Sequence, residues 1–289
     1  MKNITIITPT FNRSHILLNV YKSLAHQTVK DFKWLIIDDG STDNTKELIS
    51  SLRDQFFEIK YLYKNNGGKA SALNLAFDHV DTKYFTILDS DDYFASNAIE
   101  IASKELSSLD DEYIGIINLR HDKNNIVLGK KEIPKDVKKL KRVDIENKFN
   151  INSEVIAFYK SAVLQRGLRF PLIDGEKFIS PAFLEFEVTK DKYFKVVHEI
   201  FCYCEYLDDG LTKNKKKIII QNPRGYTLVK RQSYTYSSNF SNIIKNGIMY
   251  IAGSILSKNK KYIKESPRKI LTILLTPFGI LAYLIKFRK

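Results

Sequence analysis

The chain has 289 residues, of which 44% are hydrophobic and 12% are aromatic. This composition excludes a disordered chain and is enough to bury a full core, as one large domain or as one domain with an appendage. The net charge of +13 favours anionic partners such as nucleotides, nucleic acid or an acidic membrane surface.

The cysteines and the N-terminus bear on the cellular compartment. Cys202 and Cys204 are two positions apart in a strand-like run, so their side chains share one face. No second cysteine pair is available to complete a metal site, and we expect buried thiols in a reducing compartment. No cleavable signal peptide is predicted before the first strand, so we expect the protein to be cytosolic on at least one side.

The first part of the chain alternates strands and helices four times. Runs of β-branched and aromatic residues predict the strands, and apolar residues at helical spacing predict the segments between them. The predicted strands cover residues 4–8, 34–37, 59–63 and 84–88, and the last intervening helix covers residues 70–79. Pro9 is expected to end the first strand. The alternation is typical of an α/β fold with a mostly parallel, Rossmann-like sheet and helices on both faces.

Carboxylates are concentrated where the strand at residues 84–88 ends. Asp89, Asp91 and Asp92 follow this strand directly, at the edge of an open α/β sheet where ligands bind. Like charges so close together repel one another unless a cation lies among them. Mg²⁺ and Mn²⁺ prefer oxygen ligands and keep positions open for phosphate oxygens. The alternative is an Asp-rich turn that caps the next helix.

Two common phosphate-binding loops are absent. The sequence has neither Gly-x-Gly-x-x-Gly after the first strand nor a Gly-Lys-Ser/Thr loop. A nucleotide bound at this edge would therefore depend on a metal ion to hold its phosphates.

Four short motifs occur in order along roughly the first 110 residues. They are Thr-Pro-Thr-Phe-Asn-Arg at residues 8–13, Ile-Asp-Asp-Gly-Ser-Thr-Asp at 37–43, Asn-Gly-Gly-Lys-Ala-Ser-Ala-Leu-Asn at 66–74 and Leu-Asp-Ser-Asp-Asp at 88–92. In this order and near this spacing, the motifs resemble those of the family-two inverting glycosyltransferases of GT-A fold, of the bacterial capsular and cell-surface polysaccharide type. Each motif alone is a weak signal, and the four together are a specific one.

The resemblance implies roles for individual residues. By this resemblance, Asp39 is expected to accept a hydrogen bond from a uracil ring, and Asp91 with Asp89 is expected to bind a Mn²⁺ or Mg²⁺ ion that bridges two phosphates. The residues implied to contact the nucleotide are Pro9, Thr10, Phe11, Asn12, Asp39, Asn66, Gly67, Lys69, Asp89 and Ser90. Asp43 is expected to cap a helix rather than to bind a ligand, and Asp92 to brace the metal loop.

A general base is expected near residue 176. Inversion requires a carboxylate that takes the proton from the acceptor hydroxyl. The resemblance implies a Gly-Glu-Asp motif here, whereas residues 175–177 read Gly-Glu-Lys. Glu176 is the first choice and Asp174 the alternative, ahead of Glu185 and Glu187. The competing interpretation is that Glu176 only lies at the N-terminus of a helix.

Several segments keep more than one interpretation. Residues 123–148 are expected to form a solvated excursion rather than an acceptor-binding surface, and His198 to be a satisfied core or edge residue. Residues 208–217 are compatible with a lid over the diphosphate, a solvated basic face or a membrane contact. Residues 221–225 lack the tryptophan of the Gln-x-x-Arg-Trp motif of processive synthases, so we expect one sugar per encounter.

We expect a GT-A domain at residues 1–222 and a helical region at residues 223–289. Residues 270–285 carry no charge and are flanked by lysine and arginine. As a helix they would span about 24 Å, short of the ~30 Å hydrocarbon core, and Pro277 and Gly279 are expected to interrupt it. A helix lying in the interface of an anionic membrane fits better. The alternative is a helix packed on the catalytic domain or across a dimer.

The sequence therefore predicts a metal-dependent glycosyltransferase of the hexosyltransferase class at the cytoplasmic face of the cell membrane. Its expected donor is a UDP-sugar, and its expected acceptor is a lipid-linked or cell-surface glycan. The alternatives are a nucleotide-sugar-binding protein of the same fold without transferase activity, a nucleotidyltransferase and a nucleic-acid-binding protein. A nucleotidyltransferase would need a Gly-rich basic loop after the first strand. The basic residues do not form one stripe with interleaved aromatics, so no nucleic-acid partner is expected. The oligomeric state stays open.

Overall fold

The computed structural model describes residues 2–52, 57–129, 131–151, 153–204 and 215–288. The chain forms two compact units. We call them the sheet unit (residues 1–141, 151–170 and 188–205) and the helical unit (residues 142–150, 171–187 and 206–289). The domain boundary expected between residues 222 and 223 stays a prediction.

An eight-stranded sheet forms the centre of the sheet unit. The described strands are β1 (Ile4–Thr10), β2 (Phe32–Asp38), β3 (Glu58–Tyr63), β4 (Tyr84–Ile87), β5 (Asp92–Phe94), β6 (Tyr113–Leu119), β7 (Lys139–Leu140), β8 (Val155–Lys160), β9 (Tyr193–Val196) and β10 (Cys202–Cys204). The large sheet has the order β3-β2-β1-β4-β8-β6-β9-β7, and β10 pairs with β5 separately. β3, β2, β1 and β4 run parallel, whereas β8 is antiparallel to β4 and β6. The predicted α/β fold with a mostly parallel sheet is confirmed.

Helices follow most of the strands and make up most of the helical unit. They are α1 (Ser14–Ala25), α2 (Thr45–Ser51), α3 (Lys69–Phe77), α4 (Ala98–Ser107), α5 (Arg142–Asn147), α6 (Ala162–Gln165), α7 (Ala182–Val188), α8 (Lys215–Gln221), α9 (Pro223–Tyr236), α10 (Phe240–Leu256), α11 (Tyr262–Glu265) and α12 (Lys269–Lys286). In the sheet unit, α1 buries Leu17, Val20 and Leu24, the apolar stripe expected of an amphipathic helix. In the helical unit, α10 packs against both α9 and α12.

β1 and β2 lie inside the core, and every residue of both is buried. Strands of a parallel sheet that is covered on both faces are expected to be buried along their whole length. Trp34 Nε1 donates a hydrogen bond to Thr8 Oγ1 over 2.9 Å, which satisfies the indole donor inside the core.

The first strand runs further than predicted, through Pro9 to Thr10. Pro9 pairs in register with Ile37 of β2. The pairing of β1 with β4 ends at Ile7 and Ile87, so Pro9 lies beyond it at a local strand edge. A proline is tolerated at an edge because the missing N–H is not needed there. The expectation that Pro9 ends the strand was therefore wrong.

Parallel pairing brings the polar ends of the strands to one edge of the sheet. Thr10, Asp38 and Tyr63 are aligned across β1, β2 and β3. The Leu88 N–H donates to the carbonyl of Ile7 over 2.9 Å, which holds the start of the loop after β4 beside β1. The four sequence motifs therefore follow neighbouring strands at the same edge.

Residues 123–148 are only partly the solvated excursion expected from their charge. Most of the described side chains in this segment are exposed, but β7 and α5 form within it. Ile133, Leu140 and Ile145 are buried. The apolar residues of this segment are scattered among lysines without a helical or strand period. The sequence therefore did not predict β7 and α5.

α12 is continuous from Lys269 to Lys286 and lacks the break predicted at Pro277. Its buried residues are Thr272, Leu275 and Gly279. A Cβ atom at Gly279 would lie only 2.3 Å from Ile251 Cγ2 of α10, so the two helices approach closely at this glycine. Packing on α10 accounts for a helix that continues past a proline. Within the described chain, α12 is the one helix long and apolar enough to cross a membrane by length and composition.

We expect Gly279→Ala to lower the free energy of unfolding by about 1–3 kcal/mol, because the new methyl group overlaps Ile251. This loss would outweigh the gain in helix propensity of about 1 kcal/mol. Denaturant unfolding measures the change. In a double-mutant cycle, Ile251→Ala should relieve part of the overlap, so the two losses should be less than additive. A Gly279→Ala variant more stable than the parent would contradict this packing.

Candidate functional site

The loops that follow β1 and β2 are bonded to each other. The Asn12 N–H donates to Ser41 Oγ over 2.8 Å, and the Thr42 N–H donates to Asn12 Oδ1 over 2.8 Å. Asn12 has φ +52°, a left-handed conformation in which asparagine is enriched. Phe11 is 46% exposed, so an aromatic ring is available to a ligand beside the two bonded loops.

Pro9 and Thr10, predicted for the same pocket, are both buried. The Thr10 hydroxyl is buried without a hydrogen-bond partner in the described part of the chain. A buried hydroxyl left unpaired costs about 1–3 kcal/mol. This orphaned group lies next in sequence to exposed Phe11, at the end of β1.

The Asp39 carboxylate organises the glycine-containing loop after β3. Its Oδ1 accepts hydrogen bonds from Lys64 Nζ (2.7 Å) and the Gly67 N–H (2.9 Å), and its Oδ2 accepts one from the Gly68 N–H (2.7 Å). Its backbone carbonyl accepts a hydrogen bond from Asn66 Nδ2 over 2.8 Å. Asp39 is 4% exposed, so the predicted acceptor of a uracil N–H already binds three donors.

Asp43 links the starts of α1 and α2. Its carboxylate accepts hydrogen bonds from the N–H and hydroxyl of Ser14 (3.0 and 2.8 Å) and of Thr45 (3.1 and 2.5 Å). Burial alone would raise the pKa of Asp43, but the hydrogen bonds from Thr45 and Ser14 lower it. These contacts fit the predicted role of Asp43 at a helix start.

Asp89, Asp91 and Asp92 converge after β4. One carboxylate oxygen of each lies within 4.8 Å of the others. Lys69, the first residue of α3, places its Nζ 2.5 Å from Asp89 Oδ1. Ser90, which lies between Asp89 and Asp91 in the sequence, is half-buried. The fold therefore brings the predicted residues Lys69, Asp89 and Asp91 to one place.

Arg120 is a buried cation in this cluster that sequence reasoning missed. Its Nη1 forms an ion pair with Asp92 and lies 3.6 Å from Asp89 Oδ2, and its Nε donates to the carbonyl of Val155 over 2.9 Å. Arg120 directly follows the apolar strand β6. A charged residue at the end of a buried strand needs a counter-charge, and that signal was available in the sequence.

Asp91 is the carboxylate of the three without an ion pair among the described residues. Burial and the charge of Asp89 raise the pKa of Asp91. Burial, partly offset by Arg120 and reinforced by Asp89 and Asp91, raises the pKa of Asp92 to about 7. These raised pKa values have burial as their first cause and the neighbouring carboxylates as their second. The three carboxylates carry one more formal charge than Lys69 and Arg120 offset. Three close oxygen donors with surplus negative charge fit a hard divalent cation.

The two cysteines form a second group of possible ligands. Asp92, Cys202 and Cys204 also place one ligand atom each within 4.8 Å of the others. Both thiols are buried and free, as predicted. Arg120 already contacts two of these three possible ligands, because its Nη1 pairs with Asp92 and lies 3.7 Å from Cys204 Sγ. Contact with Cys202 and burial raise the pKa of Cys204, which favours its neutral thiol form.

Glu176, the first choice for the general base, caps a helix in the helical unit. Its carboxylate accepts hydrogen bonds from the N–H groups of Arg224 (2.8 Å) and Gly225 (2.7 Å), in the first turn of α9. Arg224 Nε adds an ion pair at 3.3 Å. Both carboxylate oxygens are therefore bonded, the arrangement expected of a carboxylate at a helix N-terminus.

The other candidates for the base differ in their contacts. Asp174 is exposed, and its carboxylate makes no hydrogen bond in the described part of the chain; its backbone carbonyl accepts from the Arg224 guanidinium. Glu185 forms an ion pair with Arg142, and Glu187 accepts from Gln232 Nε2 over 2.7 Å. Asp174 is thus the carboxylate of this group that is open to solvent.

Two remaining segments add little to the site. His198 is exposed, with its Nε2 3.4 Å from the carbonyl of Val137, in keeping with an edge residue. Of residues 208–217, for which a lid, a basic face and a membrane contact were left open, residues 208–214 lie outside the described part of the chain, and residues 215–217 begin α8.

Comparison with known proteins gives a family match over most of the sheet unit. The sequence model described as "Glycosyl transferase family 2" matches residues 5–168. Among curated relatives, the teichoic acid poly(glycerol phosphate) polymerase of Staphylococcus epidermidis is 34% identical over 112 residues. The match covers 38% of this chain and 16% of that protein. The chain therefore spans only about a sixth of the length of this relative.

Solved structures match nearly the whole chain at low sequence identity. S. aureus TarS 1–349 in complex with UDP-GlcNAc superposes with a TM-score of 0.61 at 15% identity, covering 99% of this chain and 81% of that one. The mannosyltransferase PcManGT from Pyrobaculum calidifontis, in complex with GDP-Man and Mn²⁺, gives 0.59 at 13% identity, covering 98% and 87%. At these identities the likeness shows the fold. With the family match, it shows that this chain belongs to glycosyl transferase family 2 and has the GT-A fold.

Proposed function

We propose that the chain is a metal-dependent inverting glycosyltransferase that moves a sugar from a nucleotide diphosphate onto an acceptor hydroxyl. The observation that carries the proposal is the convergence of Asp89, Asp91 and Asp92 at the strand-end edge of the sheet, with Asp91 outside the ion pairs. We infer a UDP-sugar as donor. Support comes from the TarS structures, which contain UDP-GlcNAc or UDP, whereas PcManGT contains GDP-Man.

The residues at the edge of the sheet have distinct roles in this proposal. Asp91, with Asp89, would hold Mn²⁺ or Mg²⁺. When bound, the ion supplies positive charge for the diphosphate and for the departing nucleotide. Lys69 offsets phosphate charge from the first turn of α3. Pro9, Thr10, Phe11, Asn12, Asp39, Asn66, Gly67 and Ser90 form the remaining nucleotide contacts.

We infer that Asp174 takes the proton from the acceptor hydroxyl. Glu176 would have to give up hydrogen bonds to Arg224 and Gly225 before it could accept one, whereas the Asp174 carboxylate is open. Glu176 then acts as a positioning residue, because it fixes the loop that carries Asp174 to the start of α9.

We infer that the acceptor is a lipid-linked or cell-surface glycan at the cytoplasmic face of the cell membrane. Support comes from α12, whose outward residues are apolar. The exposed ones are Ile270, Ile273, Leu274, Phe278, Ile280, Leu281, Leu284 and Ile285. An apolar helix face with basic residues at both ends is typical of a helix in a membrane interface. One of the curated relatives is named as a teichoic acid polymerase, and this name is compatible with such an acceptor.

Asp91→Asn should abolish tight Mn²⁺ binding and lower metal-dependent release of UDP from a UDP-sugar by at least about 100-fold, because a charged ligand is lost. Calorimetry with Mn²⁺ and a nucleotide-release assay over a panel of UDP-sugars measure the two effects. Asp111→Asn removes an exposed carboxylate of the sheet unit and should change neither. Equal activity in the parent and Asp91→Asn would remove Asp91 from the mechanism.

Asp174→Asn should lower kcat by roughly 10²–10⁴-fold, the usual contribution of a general base, with the melting temperature unchanged. Glu176→Gln should instead lower stability by about 0.5–2 kcal/mol through the weakened helix cap, and should keep most of its turnover below the melting temperature. The reverse pattern would make Glu176 the base. Donor binding without turnover in the parent would favour the non-catalytic nucleotide-sugar-binding protein.

Leu274→Gln with Leu281→Gln should weaken binding to phospholipid vesicles by at least roughly 100-fold, because burying each leucine contributes about 1.5–3 kcal/mol. Co-sedimentation with phosphatidylcholine vesicles isolates this apolar contribution. Ile126→Gln, which changes an exposed residue of the sheet unit, is the control. Unchanged vesicle binding in the double variant would contradict insertion of the α12 face.

A further inference from the structure

We propose a binding site for the phosphate headgroup of an anionic phospholipid at the C-terminal end of α12. We call its residues the lysine cluster: Lys230, Lys245 and Lys286. The proposal deepens the membrane contact given under Proposed function and rests on it, since it names the lipid chemistry and the residues that recognise it.

Aromatic packing places Lys230 beside the end of α12. The Tyr226 ring of α9 meets the Phe287 ring edge-on, with centroids 6.0 Å apart. Lys230, one turn further along α9, places its Nζ 5.9 Å from the centroid of the same Tyr226 ring. Lys230 and the residue that follows α12 therefore share one aromatic side chain.

A second contact brings α10 to the same place. Lys286, the last residue of α12, has its Nζ 3.7 Å from Met249 Sδ of α10. Lys245 lies one helical turn before Met249, on the same side of α10. Both Lys245 and Lys286 are exposed, so their ammonium groups are open to a ligand from solvent.

Positive charges outnumber negative ones among the groups that act on Lys230. Burial and the charges of Lys215, Lys245 and Lys286 lower the pKa of Lys230, with Glu146 acting in the opposite direction. None of the three lysines of the cluster forms an ion pair in the described part of the chain. In the sequence between Lys215 and Arg288, the one acidic residue is Glu265. Like charges gathered this way are unfavourable unless an anion joins them.

The exposed face of α12 decides which anion fits. Its apolar residues run from Ile270 to Ile285 and end directly at Lys286. An amphiphile with acyl chains along the helix and a phosphate at its end matches both parts of this surface. A free phosphate or a nucleic acid would leave the apolar face uncovered. Lys286 also interacts favourably with the C-terminal end of the α12 dipole, so its replacement would change helix stability as well as lipid binding. The test therefore replaces Lys230 and Lys245.

The experiment compares binding of the full chain to phosphatidylglycerol and phosphatidylcholine vesicles. Lys230→Gln with Lys245→Gln should weaken binding to phosphatidylglycerol vesicles by roughly 25-fold, at about 1 kcal/mol per lysine, and leave binding to phosphatidylcholine unchanged. Lys260→Gln with Lys261→Gln makes the same charge change near α11 and should cost less than roughly threefold. Equal losses in the two double variants would overturn the site in favour of general charge attraction.

Two further measurements distinguish a lipid headgroup from a free anion and from a second copy of the chain. Inorganic phosphate should compete only weakly with vesicles; displacement of the parent from phosphatidylglycerol by inorganic phosphate at matched ionic strength would assign the cluster to a free anion. Sedimentation should give the same oligomeric state for the parent and for the Lys230→Gln, Lys245→Gln variant. A dimer found in the parent and lost in the variant would assign the surface to a second copy of the chain. Release of UDP without vesicles is assayed in parallel, so failure of the transferase proposal is visible separately from failure of the lipid site.

Discussion

The contacts of Lys69 with Asp89, and of Arg120 with Asp89 and Asp92, hold together carboxylates that would otherwise repel one another. Arg120 and Asp92 are both buried, and breaking a buried ion pair by removing one partner typically costs about 3–5 kcal/mol. The loop after β4 therefore depends on these two cations. Because they engage Asp89 and Asp92, Asp91 stays outside the ion pairs of the described residues, so the pairing that stabilises the loop also sets Asp91 apart.

Local sequence patterns predicted the first four strands, the polar motifs at their ends and the position of Asp43 near a helix start. Strand ends followed by polar motifs correctly located the edge at which Asn12, Asp39, Lys69 and Asp89 gather. The prediction for Asp43 also agrees with its contacts, because a short carboxylate near two helix starts has nearby N–H groups to bind. Motifs of this kind are readable because the residues that form each contact lie close in sequence or at equivalent strand ends.

The contacts that sequence reasoning missed join distant segments. Arg120 reaches Asp92 across 28 positions, and Glu176 binds the α9 backbone across 48; no local period encodes either distance. Pro9 inside β1 and Pro277 inside α12 were misjudged for a related reason. Proline disrupts an isolated strand or helix, and only the tertiary neighbours, the end of the β4 pairing and the packing on α10, show that both are tolerated.

The helix cap formed by Glu176 has a mechanical consequence. It ties the loop of Asp174 to the first turn of α9, which packs on α10, which in turn packs on α12. Packed helices move as stiff bodies, so a tilt of α12 on a bilayer would travel through two interfaces to the cap. In the proposed membrane-bound state, the cap would therefore couple the orientation of α12 to the position of the Asp174 loop.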